Sequence, residues 1–222
     1  MSNYIKVFEI LLIGFLFPLS IIYFGLSKYI LFFIWIVFFY TIFVYLFFYK
    51  SKKILFYVYE VKYNFNLNYF CIIIIRWIVL SILLYFFTAK IFPEKLFIIQ
   101  RENPTVMYAV LFLYPILSAF PQEFIFCTFF FKRYESLFKK EYILIFMSAL
   151  IFCFAHVFFI NWVAPLLSLF GGLMFASTYS KTNSLLLVSI EHALYGNTLF
   201  FIGLGWFFWG DLFKKIINLD VL

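Results

Sequence analysis

Residues 142–160 read YILIFMSALIFCFAHVFFI, an apolar run with no Asp, Glu, Lys or Arg and one histidine, His156. About 20 such residues cross the hydrocarbon core of a bilayer as a helix. Six further segments have comparable length and polarity: 7–26, 30–49, 69–91, 106–131, 162–180 and 184–203. The pattern predicts an all-α fold, a polytopic transmembrane helical bundle of about seven spans. The run GLGWFFWG at 203–210 is too short to span. Its Trp206 and Trp209 assign it as a short C-terminal interfacial helix, because indole rings favour the headgroup layer. The polar stretch NFNLN at 64–68 is the natural boundary. It divides N-terminal membrane spans (1–68) from a membrane core (69–222).

Composition supports this reading. Hydrophobic residues make up 67% of the chain and charged residues 12%, which excludes an ordinary soluble domain. The 38 Phe and 17 Tyr, with Lys well above Arg, fit a low-GC coding bias and hence a bacterial chain. The net charge of +7 does not point to nucleic acid, because the positive residues sit at the ends of apolar runs. Lys50, Lys52, Lys53 and Lys62 follow the second run. Lys132, Arg133, Lys139 and Lys140 follow the fourth, and Lys181 follows the sixth. All fall on one side if the N-terminus is cytoplasmic, and Lys6 agrees. The expected location is therefore the bacterial inner membrane, multi-pass. Lys214 and Lys215 would lie on the opposite side, against the rule. Lys6 precedes the first run, but Glu9 interrupts it and no small-residue cleavage site follows, so it reads as an uncleaved span. Cys71, Cys127 and Cys153 lack CxxC spacing and indicate neither a disulfide nor a zinc knuckle.

Ionisable groups at membrane depth are costly and mark candidate sites. The chain has two histidines, His156 and His192, both inside apolar runs, and Glu123 lies in a third. Pro121 predicts the first turn of a helix, which would leave Gln122 and Glu123 near free backbone N–H groups. Glu123 is then either a functional carboxylate or one placed to suit the helix dipole. Phe152 and His156 are spaced i, i+4 and share one helical face. His156 is a site residue or a hydrogen-bonded core histidine. Glu191 and His192 are adjacent, about 100° apart, so they face different partners. Glu191 is a supporting site residue or the ion-pair partner of Arg76. Counted from one membrane side, Glu123, His156 and His192 lie at depths compatible with one cavity. Glu, His, His and the amide of Asn197 could activate water against a peptide bond and stabilise the oxyanion. Alternatively Glu123, His156 and His192 could bind zinc with water in the fourth position, although no HExxH is present. The cofactor stays open between zinc and none.

The segments PQEFIFCTFFFKRY (121–134), FCFAHVFF (152–159) and EHALYGNTLFFIGLG (191–205) carry a family resemblance. In this order they resemble the CAAX-processing and bacteriocin-protection intramembrane proteases, also called the Abi family, which include type 2 CAAX prenyl endopeptidases. The resemblance covers about 105–205. The family pattern is Glu-Glu-x-x-x-Arg, then Phe-x-x-x-His, then His-x-x-x-Asn. Phe152, His156 and His192 match it. Gln122 stands at the first Glu, Cys127 at the Arg and Gly196 at the Asn, with Asn197 one residue later. An amide is not a base, so Glu123 would serve in place of Gln122. The resemblance implies a membrane endopeptidase, described with either a glutamate-activated water or a metal. Glu123 and His156 would activate the water, and His192 with Asn197 would stabilise the oxyanion. Gln122, Phe152 and Glu191 would support them. The expected partners are the lipid bilayer and a membrane-anchored protein or peptide substrate. Two alternatives stand beside it. One is a non-cutting descendant that acts as a membrane binding or immunity-type protein. The other is a small proton-coupled transporter, ranked last because two matching halves with broken helices are missing.

Overall fold

The computed structural model describes residues 3–49 and 66–208. Among these residues seven helices are long and apolar enough to cross a membrane: α1 (Asn3–Tyr23), α2 (Ser27–Phe48), α3 (Leu67–Ile91), α4 (Pro104–Tyr134), α5 (Glu141–Phe159), α6 (Val163–Thr182) and α7 (Leu185–Ile202). The chain is an integral multi-pass membrane protein. Outward-facing Phe32, Phe43, Phe47, Ile75 and Phe86 coat the bundle with apolar surface, as a lipid solvent requires. Lys50, Lys52, Lys53, Lys62, Trp209, Lys214 and Lys215 lie outside the described residues.

Helix ends follow local chemistry. Asn66 caps α3 by accepting from the Tyr69 N–H, and Ser184 caps α7 by accepting from the Leu187 N–H. Asn103 caps α4, whose first residue is Pro104. Gly203 ends α7 at φ +102°. A Cβ there would lie 1.9 Å from the Lys95 carbonyl oxygen, so the position requires glycine on both counts. The short C-terminal element, Leu204–Phe208, is a 3-10 turn. It tucks inward, with Leu204 buried against Val163 and Ile202. Trp206 lies under the Lys95 ammonium, 4.3 Å from ring centre to nitrogen.

Pro121 does not open a helix. It sits inside α4, which runs through both prolines by widening into π-turns at Pro115–Ala119 and Phe124–Phe129. Proline brings no N–H to the carbonyl four residues before it, here Leu111 and Leu117. Side chains from other spans reach both. The Asn197 amide of α7 donates to the Leu111 carbonyl at 3.2 Å, and the Trp35 indole of α2 donates to the Leu117 carbonyl at 3.1 Å. Trp35→Phe is expected to lower stability by about 1 kcal/mol in thermal unfolding in detergent. The loss should shrink in a Pro121→Ala background, which restores an N–H at that position. An equal loss in both backgrounds would contradict this role for Trp35.

The bundle closes around α4. Gly172 lets α6 approach α5 closely, since a Cβ there would lie 2.9 Å from the Ala149 Cα. The first two spans pack directly on the rest. Phe38 of α2 meets Phe124 of α4 edge to face at 5.3 Å, and Gly14 of α1 faces Ile151 of α5. Glu9 of α1 is buried and paired with buried Arg133, whose Nε donates to Oε2 at 2.8 Å, and Tyr40 of α2 donates to Oε1 at 2.7 Å.

Candidate active site

His192 projects from the middle of α7 and is held at both ring nitrogens. Nδ1 lies 2.7 Å from Glu123 Oε1 and Nε2 lies 2.8 Å from the Tyr114 hydroxyl. With Glu123 as the acceptor, Nδ1 carries the proton and Nε2 accepts from the tyrosine O–H. The ring stacks on Phe175 with centroids 4.6 Å apart at 18°, and Phe152 packs edge-on to it at 5.6 Å. The imidazole therefore has one orientation, set by two hydrogen bonds and two aromatic walls.

Glu123 is 1% exposed and has both oxygens occupied. Oε1 meets His192, and Oε2 accepts from the Cys127 thiol at 3.1 Å. Cys127 is one helical turn further along α4, where the resemblance places an arginine. A neutral thiol donor stands there instead of a guanidinium.

His156 sits where α5 breaks into the 3-10 turn Val157–Phe159. Its Nδ1 lies 2.7 Å from the Phe152 carbonyl, which can only accept, so Nδ1 donates and Nε2 carries the lone pair. The Phe152 ring contacts the rings of both histidines, at 4.6 Å from His156 and 5.6 Å from His192. The i, i+4 pairing expected of Phe152 and His156 is present, and the phenylalanine is the shared wall between the imidazoles.

A cavity of about 1020 Å³ opens beside these groups, at the upper end of ligand-pocket sizes. Tyr114, Gln122, Phe152, His156, His192 and Gly196 line it, with apolar side chains from the other spans. Glu123 is not among its lining residues. Of the adjacent pair on α4, the amide Gln122 faces the cavity and the carboxylate lies behind His192. The Gln122 side-chain N–H donates to the Ser118 hydroxyl at 2.7 Å.

Two sequence candidates are engaged elsewhere. Glu191 is fully buried and forms an ion pair with Arg76 of α3, which also donates to Thr178 at 2.9 Å. Glu191 and His192 thus face different partners, as their adjacency requires. Asn197 turns to the proline-freed carbonyl of Leu111. No motif marks Tyr114; Gly196 at the pattern's amide position is the one sequence signal that another residue fills that place.

The donor set does not fit zinc. Glu123 spends its two oxygens on His192 Nδ1 and the Cys127 thiol and lies outside the cavity that the two imidazoles line, and the Nδ1 of His156 faces a carbonyl. Among the described residues no three His, Cys, Asp or Glu side chains converge as a metal-binding group.

Residues 104–198, nearly all of α4–α7, match the family model described as type II CAAX prenyl endopeptidase Rce1-like. Over these residues the chain is similar to CAAX-type membrane proteases, the resemblance that the motifs carry. No curated protein and no solved structure matches the chain significantly.

Proposed function

We propose that the chain is an intramembrane endopeptidase that hydrolyses a peptide bond in a membrane-anchored protein or peptide. The observation that carries this reading is the Glu123–His192 pair, whose imidazole lines the same cavity as His156 within the family-matched segment. Glu123 acts through His192: it holds Nδ1–H and so keeps the Nε2 lone pair toward the cavity, and it stabilises the imidazolium when a proton arrives. Water in the cavity loses a proton to His192 Nε2 as its oxygen attacks the scissile carbonyl carbon. The carbonyl π pair moves to oxygen, and the resulting tetrahedral species collapses with expulsion of the amine, which takes a proton from an imidazole. His156, with its own Nε2 lone pair, holds the water or relays that proton. Gln122 contributes an amide for hydrogen bonding the substrate backbone, not a base. The apolar wall suits a juxtamembrane or unwound membrane segment and excludes bulk water from the reacting groups. A cytoplasmic N-terminus in a bacterial inner membrane belongs to the same reading.

A second reading has a specific observation behind it. Gln122 stands in the cavity where the family pattern has a carboxylate, which favours a site that binds substrate without cutting it. The experiment is incubation of purified protein in proteoliposomes with a library of quenched fluorescent peptides bearing one apolar segment. The hydrolase reading expects two fragments whose masses sum to the peptide plus one water, and loss of that activity in His156→Ala. Peptide retention with no cleavage above the His156→Ala background would favour the binding reading and overturn hydrolysis.

A further inference from the structure

Tyr114 and Gly196 occupy one place in the site. Gly196 follows His192 by one helical turn, so a side chain at 196 would project along the same face as the imidazole. A Cβ built there would lie 2.1 Å from Tyr114 Cε1 and 2.4 Å from both Cζ and the hydroxyl oxygen. Such separations are far inside van der Waals contact. The phenol of α4 therefore fills the volume that a side chain at 196 would take, and glycine is what admits it. The ring is fixed edge-on against Phe200 at 5.4 Å and against the His192 imidazole at 5.9 Å, and it sits next to the Pro115 π-turn. Tyr114 lines the cavity, and its hydroxyl lies 2.8 Å from His192 Nε2. The side-chain amide one residue later, on Asn197, is spent on the Leu111 carbonyl.

We infer that Tyr114 is a catalytic residue of this site: its phenolic O–H is the donor that stabilises the oxyanion, in the place that an amide at position 196 would take. The inference rests on the hydrolase reading. At rest the O–H donates to His192 Nε2. When a carbonyl enters, the O–H turns to the substrate oxygen, and the freed Nε2 accepts a proton from the attacking water. The hydrogen bond strengthens as the C=O π pair becomes a lone pair on oxygen, so it favours the transition state over the bound substrate. The phenol keeps its proton throughout, and no other group is oxidised or reduced. The tyrosine donor and the imidazole acceptor are 2.8 Å apart, so a donor for the carbonyl oxygen stands beside the base for the attacking water.

The test measures kcat and KM in proteoliposomes on a peptide that the wild-type protein cuts, with His192→Ala as the background. Tyr114→Phe keeps the ring and removes only the donor. It should lower kcat by about 10²-fold while KM stays within about threefold, the signature of a lost oxyanion donor. Gly196→Asn should lose as much, because its side chain collides with the phenol. The double variant Tyr114→Ala/Gly196→Asn removes the phenol and supplies an amide at the same place, and it should regain at least about tenfold over Gly196→Asn alone. If Gly196→Asn fails to fold, Tyr114→Phe decides the matter. A wild-type protein no faster than His192→Ala overturns the hydrolase reading and this inference together. An active wild-type protein whose kcat is unchanged in Tyr114→Phe overturns the inference alone.

Discussion

His192→Ala is expected to lower kcat/KM by about 10⁴-fold, Glu123→Gln by about 10³-fold, and the two together by no more than His192→Ala alone. In the proposed mechanism His192 is the cavity's oriented base, so its removal takes away the proton acceptor. Glu123 does not line the cavity, yet the loss at Glu123 should remain large. A glutamine there can present an N–H to Nδ1, which reverses the tautomer and turns the protonated nitrogen toward the cavity. It also withdraws the charge that stabilises the imidazolium. Because the carboxylate works only through the imidazole, the two losses cannot add. Steady-state kinetics on one cleaved peptide check this. Additive losses would mean that Glu123 reaches the reaction by its own route, as a base in direct contact with water.

Arg133→Ala is expected to cost about 3–5 kcal/mol of stability, because it leaves an unpaired carboxylate inside the bundle. Glu9 and Arg133 are 5% and 2% exposed, so neither can recover solvation without moving α1. The guanidinium also lies 5.1 Å from the Phe48 ring, and Tyr40 shares the Glu9 carboxylate. Removing both charges, as in Glu9→Leu/Arg133→Met, should be far milder, since apolar replacement of a buried pair is often neutral. Thermal unfolding in detergent separates these outcomes. A single variant as stable as the double would show that the pair does not hold α1 to α4. Since α1 residues from Glu9 to Ile21 line the cavity, the destabilised variant should also cut less efficiently.

The class of fold was legible because bilayer thickness sets span length, and seven apolar runs leave few other solutions. Pro121 misled for a physical reason. In water a proline marks a helix start, whereas within this bundle Trp35 and Asn197 satisfy the carbonyls that the two prolines release. Those partners lie 82 and 86 residues away in the chain, out of reach of any local rule. The same π-turns obscure the facing of Gln122 and Glu123. Each widened turn rotates the residues beyond it about the helix axis, so helical counting could not say which of the pair meets the cavity. Phe152 and His156 were readable because one regular turn joins them. The Arg76–Glu191 pair was readable because buried membrane charges seek partners. Tyr114 was not, because a tyrosine among 17 carries no signal until the space above Gly196 is seen. In the sequence Glu9 is only an interruption of the first run, because its partner Arg133 stands among the cations that follow the fourth run.

Cleavage in heavy-oxygen water tests the central claim most directly, that His192, held by Glu123, drives attack of water on a peptide bond. Purified wild-type and His192→Ala proteins are incubated in proteoliposomes with the quenched peptide library, and the fragments are weighed. The account predicts that the wild-type protein releases an N-terminal fragment whose new carboxylate carries one labelled oxygen, and that His192→Ala releases none. Labelled fragments in equal amount from both proteins, or from neither, would contradict it.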